Sequence, residues 1–297
     1  MQQANGIEGQ KVVWPDVLTE GPVHPQVGSQ AYHKLRKGFL VSEYQTTANT
    51  YNQKAAPFFD ALNRSQSFHE VVLWFEYDLF CQVNMLAVLA ALHQRGYSHQ
   101  VSLICIGHVP GHARLVGLGE VNPNLYSSFY ANRTQLSPAH VAQAAHLWQL
   151  YCQPNAVAFV QAAQQAAPVF KYLPAAIAAH IQRFPSQLNG LNEIEQYIVG
   201  MVHSQPRSQK QIVRALLLRA DYYGFGDLQY FNLLEQLNDL FTVQDNTYTL
   251  NQTGLAVHHC QTNYLTINTQ PVLLGGATHF NFRWAQPQTV LKAIKIK

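Results

Sequence analysis

Charged side chains are scarce in this sequence, and their scarcity excludes some functions. Asp, Glu, Lys and Arg make up 12% of the 297 residues, and the formal net charge is +3. This is about half the charged share of an average soluble protein. So few charges produce only a weak electrostatic field around the protein, which argues against strong, non-specific binding of nucleic acid.

Long apolar runs and paired cysteines are also missing. No run reaches the roughly 18 apolar residues that a membrane-spanning helix needs, and the N-terminus has neither the basic start nor the apolar stretch of a signal peptide. We therefore expect a cytoplasmic protein without membrane contacts. The cysteines are far apart and form no Cys-x-x-Cys pair, which favours reduced thiols. They are Cys81, Cys105, Cys152 and Cys260.

The first half of the chain has the pattern of an α/β domain. Residues 71–75 and 101–106 are continuous apolar runs, typical of strands buried on both faces of a sheet. Between them, residues 79–94 have helical spacing and are followed by Gly96, a common helix stop. This strand–helix–strand unit indicates a small parallel, Rossmann-like sheet. We place that domain at residues 1–135, with a further short strand at 11–14 and helices at 30–44 and 51–64.

The second half reads as helical, with a short hairpin. Ser137 and Pro138 are a cap and a first helical residue, and they open a helical segment at 136–189. Its three helices are expected at 138–151, 155–167 and 173–183. In a last domain, 190–297, helices at 192–204, 208–220 and 227–240 precede strands at 241–243 and 248–250. This layout resembles a winged helix, and strands near 272–276 and 280–284 are expected to close it.

The most probable site is the turn after the strand at 71–75. Ligands of open α/β sheets bind beyond the carboxyl ends of the strands, where Glu76, Asp78 and Gln82 lie. Glu76 and Asp78 suit a divalent cation such as magnesium, or acid–base catalysis. Free N–H groups at the helix start suit phosphate. In the alternative, structural interpretation, Asp78 is only a helix cap and Gln82 only satisfies a backbone group.

Four further residues are ligand-binding candidates. Glu20 and Glu120 lie in loops on the expected ligand side of the sheet, next to glycines that permit close approach. Arg133 and Arg183 are suited to an anion, such as phosphate or carboxylate, or equally to a structural pair with one of the acids.

Motifs of known enzyme classes are absent. The sequence has no His-Glu-x-x-His, phosphate-loop or Gly-x-Ser-x-Gly motif. His258, His259 and Cys260 are adjacent but have no second pair of ligands nearby in sequence, which does not favour a metal site there.

Several short motifs resemble a bacterial family known as domain of unknown function 1835. The most specific is Trp-Phe-Glu-Tyr-Asp-Leu-Phe-Cys-Gln at residues 74–82. Shorter ones are Leu-Thr-Glu-Gly-Pro at 18–22, Gly-Leu-Gly-Glu at 117–120, Arg-Phe-Pro-Ser at 183–186 and Asn-Gly-Leu at 189–191. The resemblance implies a bacterial cytosolic protein and assigns no activity. The family pattern begins with a strand ending in Gly-Asp-Ser, which this chain lacks before the segment at 6–14.

Three functions follow as hypotheses. The first is binding of a small ligand, such as a nucleotide or another phosphate compound, or of a divalent metal at Glu76, Asp78 and Gln82. The second is a metal-dependent enzyme acting on a phosphoester or nucleotide, with Glu76 and Asp78 as catalytic candidates. The third is a regulator that binds DNA or a protein partner through the winged helix. For DNA the third helix is unfavourable, because residues 227–239 contain three acids and no Lys or Arg.

Overall fold

A computed structural model describes residues 7–219, 221–285 and 290–294 as a mixed α/β protein with a small mixed sheet. In that part of the chain no helix is long and apolar enough to cross a membrane. The helices of the first two thirds are α1 (Gln30–Glu43), α2 (Ala48–Asn63), α3 (Leu79–Gln94), α4 (Tyr126–Ala131), α5 (Pro138–Tyr151), α6 (Ala156–Ala163) and α7 (Leu173–Gln182).

The sheet has three strands in the order β1-β2-β3. Strands β1 (Glu70–Glu76) and β2 (Gln100–Ile106) are parallel, with Glu76 opposite Ile106. The predicted parallel pairing of β1 with β2 is confirmed. Strand β3 (Thr134–Leu136), which was not predicted, pairs antiparallel with β2, so the sheet is mixed. The central strand β2 is buried, whereas β1 is an edge strand and only half-buried.

Helix α3 lies at the centre of the N-terminal part. It is apolar on every side, as expected of a helix enclosed by other elements, and it contacts β1, α5 and α7. Its bounds are those predicted. Asp78 caps its N-terminus, and Gly96 follows its C-terminus with a φ of +63°, a conformation that glycine adopts without strain.

The predicted strand at residues 11–14 is absent from the described structure. This segment has no assigned secondary structure and pairs with no strand. The Trp14 ring packs edge-on against Phe58, with centroids 4.8 Å apart, whereas Val12 and Val13 are exposed, so only the end of the apolar run is covered.

The last third contains three antiparallel strands among four helices. The elements are α8 (Glu193–Ser204), β4 (Arg207–Ser208), α9 (Gln209–Leu217), α10 (Asp227–Gln236), β5 (Phe241–Gln244), β6 (Thr247–Leu250) and α11 (Gln252–His258). The strand order is β4-β6-β5. Asp245 and Asn246 both have positive φ, as a tight two-residue hairpin requires.

The tail forms two strand pairs that pack differently from our expectation. They are β7 (Leu273–Leu274) with β8 (Ala277–Thr278) and β9 (Phe282–Ala285) with β10 (Val290–Ala293). In the first hairpin, Gly276 N donates to Tyr151 O at the end of α5 (2.8 Å). Trp284 in β9 forms a bridge with Ser186. The tail therefore lies on the helical segment instead of closing the three-stranded unit, because its glycines fit closely on the α5 carbonyls.

One apolar cluster extends from Leu18 to Leu291 through all three predicted domains. The predicted boundaries at 135/136 and 189/190 remain a prediction.

Candidate functional site

The end of β1 and the start of α3 bring three possible metal ligands together. Glu76 is the last residue of β1, and Asp78 is the N-cap of α3. One carboxylate oxygen from each and the Cys81 sulfur all lie within 4.8 Å of one another. The predicted convergence of Glu76 and Asp78 is thus present in the structure, and Cys81 joins them.

Backbone groups already contact both carboxylates. Leu118 N donates to Glu76 Oε1 (2.8 Å), and Cys81 N donates to Asp78 Oδ1 (2.8 Å). Two glycines lie close to the carboxylates: a Cβ on Gly117 would lie 2.4 Å from Glu76 Oε2, and one on Gly224 would lie 2.3 Å from Asp78 Oδ1. The loops around 117 and 224 therefore close tightly on this acid pair.

The first N–H groups of α3 do not offer the phosphate site that we expected. Leu79 N donates to Tyr222 O (2.6 Å), and Phe80 N donates to Tyr223 O (3.2 Å). Since these donors hold the segment at 222–223, the helix start is satisfied by the chain itself, and that expectation is wrong.

The Gln82 side chain makes structural hydrogen bonds. It is fully buried, and its Nε2 donates to Glu76 O (2.7 Å) and to Cys105 Sγ (3.2 Å). Its Oε1 has no partner in the described structure. Gln82 thus ties α3 to the ends of β1 and β2, the structural role that the sequence also allowed.

Burial controls the electrostatics of the acid pair. Removal from water raises the pKa of Asp78 to about 6; the hydrogen bond from Cys81 N opposes this rise, and the nearby Glu76 charge adds to it. Burial also raises the pKa of the Cys81 thiol well above its usual range, and the Asp78 charge raises it further. A cation between these groups would favour their ionised forms.

Glu120 and Arg133 are engaged elsewhere. Exposed Glu120 pairs with Arg114, which lowers its pKa. Arg133 pairs with Glu70 (2.7 Å) at the beginning of β1, the opposite end of the strand from Glu76. Arg133 is therefore a structural partner and not part of this acid site, the alternative that the sequence left open.

Glu20 and Arg183 meet in a separate cleft. Tyr44 Oη donates to the Glu20 carboxylate, while Arg183 Nη1 donates to Thr19 O (2.6 Å) and its guanidinium lies 5.1 Å from the Phe225 ring centroid. The cleft has a volume of about 650 Å³, within the range of about 300–1,000 Å³ typical of small-molecule sites.

Elements from distant parts of the chain form the cleft. The loop at 20–22, the ends of α1 and α7, helices α8 and α10 and the tail before β8 all contribute side chains. The polar and aromatic lining residues are Glu20, Phe39, Glu43, Arg183, Asn192, Glu195, Phe225, Gln229, Asn232, Gln236, Asp239, Tyr264, Asn268, Gln270 and His279.

A buried ion pair holds the loop that carries Glu20. Arg36 donates to Asp16 Oδ1 (2.8 Å) and also to the carbonyls of Glu20 (2.7 Å) and Pro22 (2.8 Å). Both charged side chains are almost completely buried. Sequence reasoning missed this pair, because the sequence pattern does not show that Asp16 and Arg36 meet.

Three cleft groups have unusual environments. Burial raises the pKa of Glu195 to about 7, against the hydrogen bond from Asn192 N. Burial also lowers the pKa of His279 to about 4, so that this imidazole is neutral at pH 7. Gln229 is only 8% exposed and leaves its Nε2 without a partner in the described residues. Among these, the Asn192–Glu195 capping box was readable from the sequence.

Helix α10 faces this cleft with its amide side chains. Gln229, Asn232 and Gln236 line it, and Asn232 Nδ2 donates to Glu43 O at the end of α1 (3.0 Å). This face of α10 therefore lies against the N-terminal part of the chain.

Comparison with protein-family models, curated proteins and solved structures found no match.

Proposed function

We propose that this protein binds a small polar molecule in the cleft that joins Glu20 and Arg183. The observation that carries the proposal is that two sequence-predicted ligand residues, Glu20 and Arg183, line a cleft of about 650 Å³ together with Gln229, whose buried Nε2 has no partner in the described structure. Pockets between parts of a chain that combine apolar walls with a few polar groups are the usual places for small ligands.

The charge of the cleft favours a cationic or hydroxyl-rich ligand. Among the described lining residues there are four acidic side chains, those of Glu20, Glu43, Glu195 and Asp239, and one permanent cation, Arg183. With its pKa raised to about 7, Glu195 is only partly ionised at pH 7. Arg183 already faces a backbone carbonyl and an aromatic ring. Repulsion from the carboxylates would oppose a nucleotide or other phosphate compound, so amines and polyols are better candidates here than phosphates.

A ligand screen by thermal shift tests this proposal. We expect amines or polyols to raise the melting temperature of the wild type, and Glu20→Gln to reduce that shift, because the carboxylate charge is removed while an acceptor for Tyr44 remains. Glu120→Gln is the matched control, since Glu120 lies outside the cleft. Equal shifts in Glu20→Gln and the wild type for every ligand would contradict the proposal.

A second candidate function is cation binding by Glu76 and Asp78. It is supported by the 4.8 Å convergence of their oxygens with Cys81 and by the burial that raises the Asp78 pKa. Magnesium would use the two carboxylates, since it prefers oxygen ligands and keeps several waters. A metal ion can also activate a bound water as a nucleophile by lowering its pKa. Such a water is the basis of the alternative function, a metal-dependent enzyme acting on phosphoesters or nucleotides.

Calorimetry with Mg²⁺ and Mn²⁺ tests this second function. We expect binding by the wild type and by Glu120→Gln, and weaker binding by Asp78→Asn, which keeps the helix cap but loses the charge. If the wild type binds neither ion, or if Asp78→Asn binds equally well, the strand-end acids are structural.

The proposed fold assignments are a Rossmann-like unit at β1-α3-β2 and a winged-helix-like unit at α8 to β6. The second is supported by the element order and by the β4-β6-β5 sheet. We also propose that the chain is related to domain of unknown function 1835, which its motifs resemble, and that it is located in the cytoplasm.

The winged-helix-like unit fits a role within the chain or with a protein partner better than DNA binding, because α10 carries acids and lies against α1. A gel-shift salt series tests this, since DNA affinity carried by phosphate contacts falls steeply with salt.

A further inference from the structure

Three imidazoles from separate parts of the sequence form a cluster. In the sequence they lie far from the acid pair, Glu76 and Asp78, and from Glu20 of the cleft. His203 lies in the last turn of α8, while His258 ends α11 and His259 caps it. The His203 and His258 rings stack with centroids 4.3 Å apart, and the His259 ring centroid lies 5.6 Å from His203 and 5.1 Å from His258. The structure thus supplies the third imidazole that the sequence pair lacked.

The surroundings of this cluster, hereafter the histidine cluster, leave it available to a ligand. His203 and His259 are exposed, His258 is half-buried, and no hydrogen bond within the described residues engages their ring nitrogens. The C-terminal end of α8 carries partial negative charge, which favours a cation.

We propose that the histidine cluster binds a divalent transition-metal ion such as Zn²⁺ or Ni²⁺. Imidazole nitrogen is a preferred ligand of these ions and a poor one for Mg²⁺. With metal–nitrogen distances near 2.1 Å, two imidazoles on a tetrahedral ion have ring centroids roughly 5 Å apart. The observed separations of 4.3, 5.1 and 5.6 Å bracket that value. In the described structure the nitrogens of the three rings do not lie within 4.8 Å of one another, so the ion would bind after the exposed side chains of His203 and His259 rotate, with water completing the coordination.

This site is independent of the proposed ligand cleft, because none of the three histidines lines the cleft. It also differs chemically from the acid pair at Glu76 and Asp78, which offers oxygens and one thiol. Calorimetric titration with Ni²⁺ and, separately, with Mg²⁺ distinguishes the two sites. We expect the histidine cluster to bind Ni²⁺ and not to bind Mg²⁺.

Variants at the cluster identify the ligands. We expect His203→Asn and His258→Asn each to weaken Ni²⁺ binding by roughly tenfold or more, the scale of effect of disturbing a metal's ligand set. His146→Asn is the matched control, because His146 is exposed on α5 away from the cluster, and it should bind Ni²⁺ as the wild type does. Melting temperatures without metal verify that the variants remain folded.

Paramagnetic broadening by Ni²⁺ gives a second readout. In the wild type, the imidazole signals of His203, His258 and His259 should broaden at substoichiometric Ni²⁺ while that of His146 stays sharp. Absence of Ni²⁺ binding by the wild type, equal binding by His203→Asn and His258→Asn, or broadening confined to other residues would each overturn the proposal.

Discussion

Replacing Gly224 by alanine tests how the acid turn is built. Gly224 has a φ of +68°, and a Cβ there would lie 2.3 Å from both Cγ and Oδ1 of Asp78. To make room, Asp78 or the segment at 222–224 must move. Such a movement breaks the cap to Cys81 N and the bonds from α3 to Tyr222 O and Tyr223 O.

The expected loss can be separated into backbone and contact effects. A left-handed conformation at a residue with a Cβ costs roughly 1 kcal/mol or slightly more. Loss of an N-cap costs about 1 kcal/mol, and each lost backbone hydrogen bond costs about 1 kcal/mol. We therefore expect Gly224→Ala to reduce the free energy of unfolding by roughly 3–4 kcal/mol.

Gly96→Ala is the matched control, because Gly96 has a φ of +63° and no atom lies within 4 Å of its would-be Cβ. In Gly96→Ala only the backbone strain destabilises the protein. The free energies of unfolding of the two variants should therefore differ by about 2–3 kcal/mol in urea unfolding, with unchanged m-values. Asp78→Ala removes both obstructing atoms, Cγ and Oδ1, so Gly224→Ala should cost less in that background. Equal losses for the two glycine variants, or no relief by Asp78→Ala, would refute the packing described here.

The remaining predictions concern charge. The folded-state pKa of Asp78, about 6, exceeds its ordinary value of 3.8, so the folded protein holds this proton more tightly; the resulting stabilisation is complete below about pH 4 and is lost as the pH rises through 6. Asp78→Asn keeps the cap and cannot ionise, so it is the reference. In urea unfolding, the stability of the wild type relative to this variant should fall by about 2–3 kcal/mol between pH 4 and pH 7; a constant difference would contradict this burial. Arg36→Met should lower the free energy of unfolding by about 3–5 kcal/mol, because the buried Asp16 carboxylate loses its counter-charge and two loop carbonyls lose donors, whereas Arg114→Met, in an exposed pair, should cost much less. Similar losses for the two arginine variants would show that Arg36 does not organise the loop.

Local signals in the sequence were sufficient for the long elements. Ser137 with Pro138 marked the start of α5, and Asp78 with Gly96 bounded α3, because capping chemistry acts within a few residues. Strands β3 and β4, of three and two residues, escaped prediction because so short a run has no readable periodicity. The strand expected at 11–14 was wrong because the run joins no sheet: Val12 and Val13 are exposed, and only Trp14 packs against aromatic side chains of α2.

The site was predictable only where one segment supplies it. Glu76 and Asp78 are two residues apart, and their convergence followed from the strand–helix turn. The cleft joins Glu20, Arg183 and Gln229, which are far apart in the chain, and the histidine cluster joins His203 to His258. These long-range contacts depend on how α8, α10, α11 and the tail pack, and no local sequence pattern predicts that packing.

We propose that the small molecule binds in the cleft and not at the acid turn. Amide chemical-shift mapping with a ligand identified by the thermal-shift screen tests it most directly. We predict that the signals of Glu20, Arg183 and Gln229 move together with increasing ligand while those of Cys81 and Leu118 stay in place. Movement confined to Cys81 and Leu118, with the cleft signals unchanged, would contradict it.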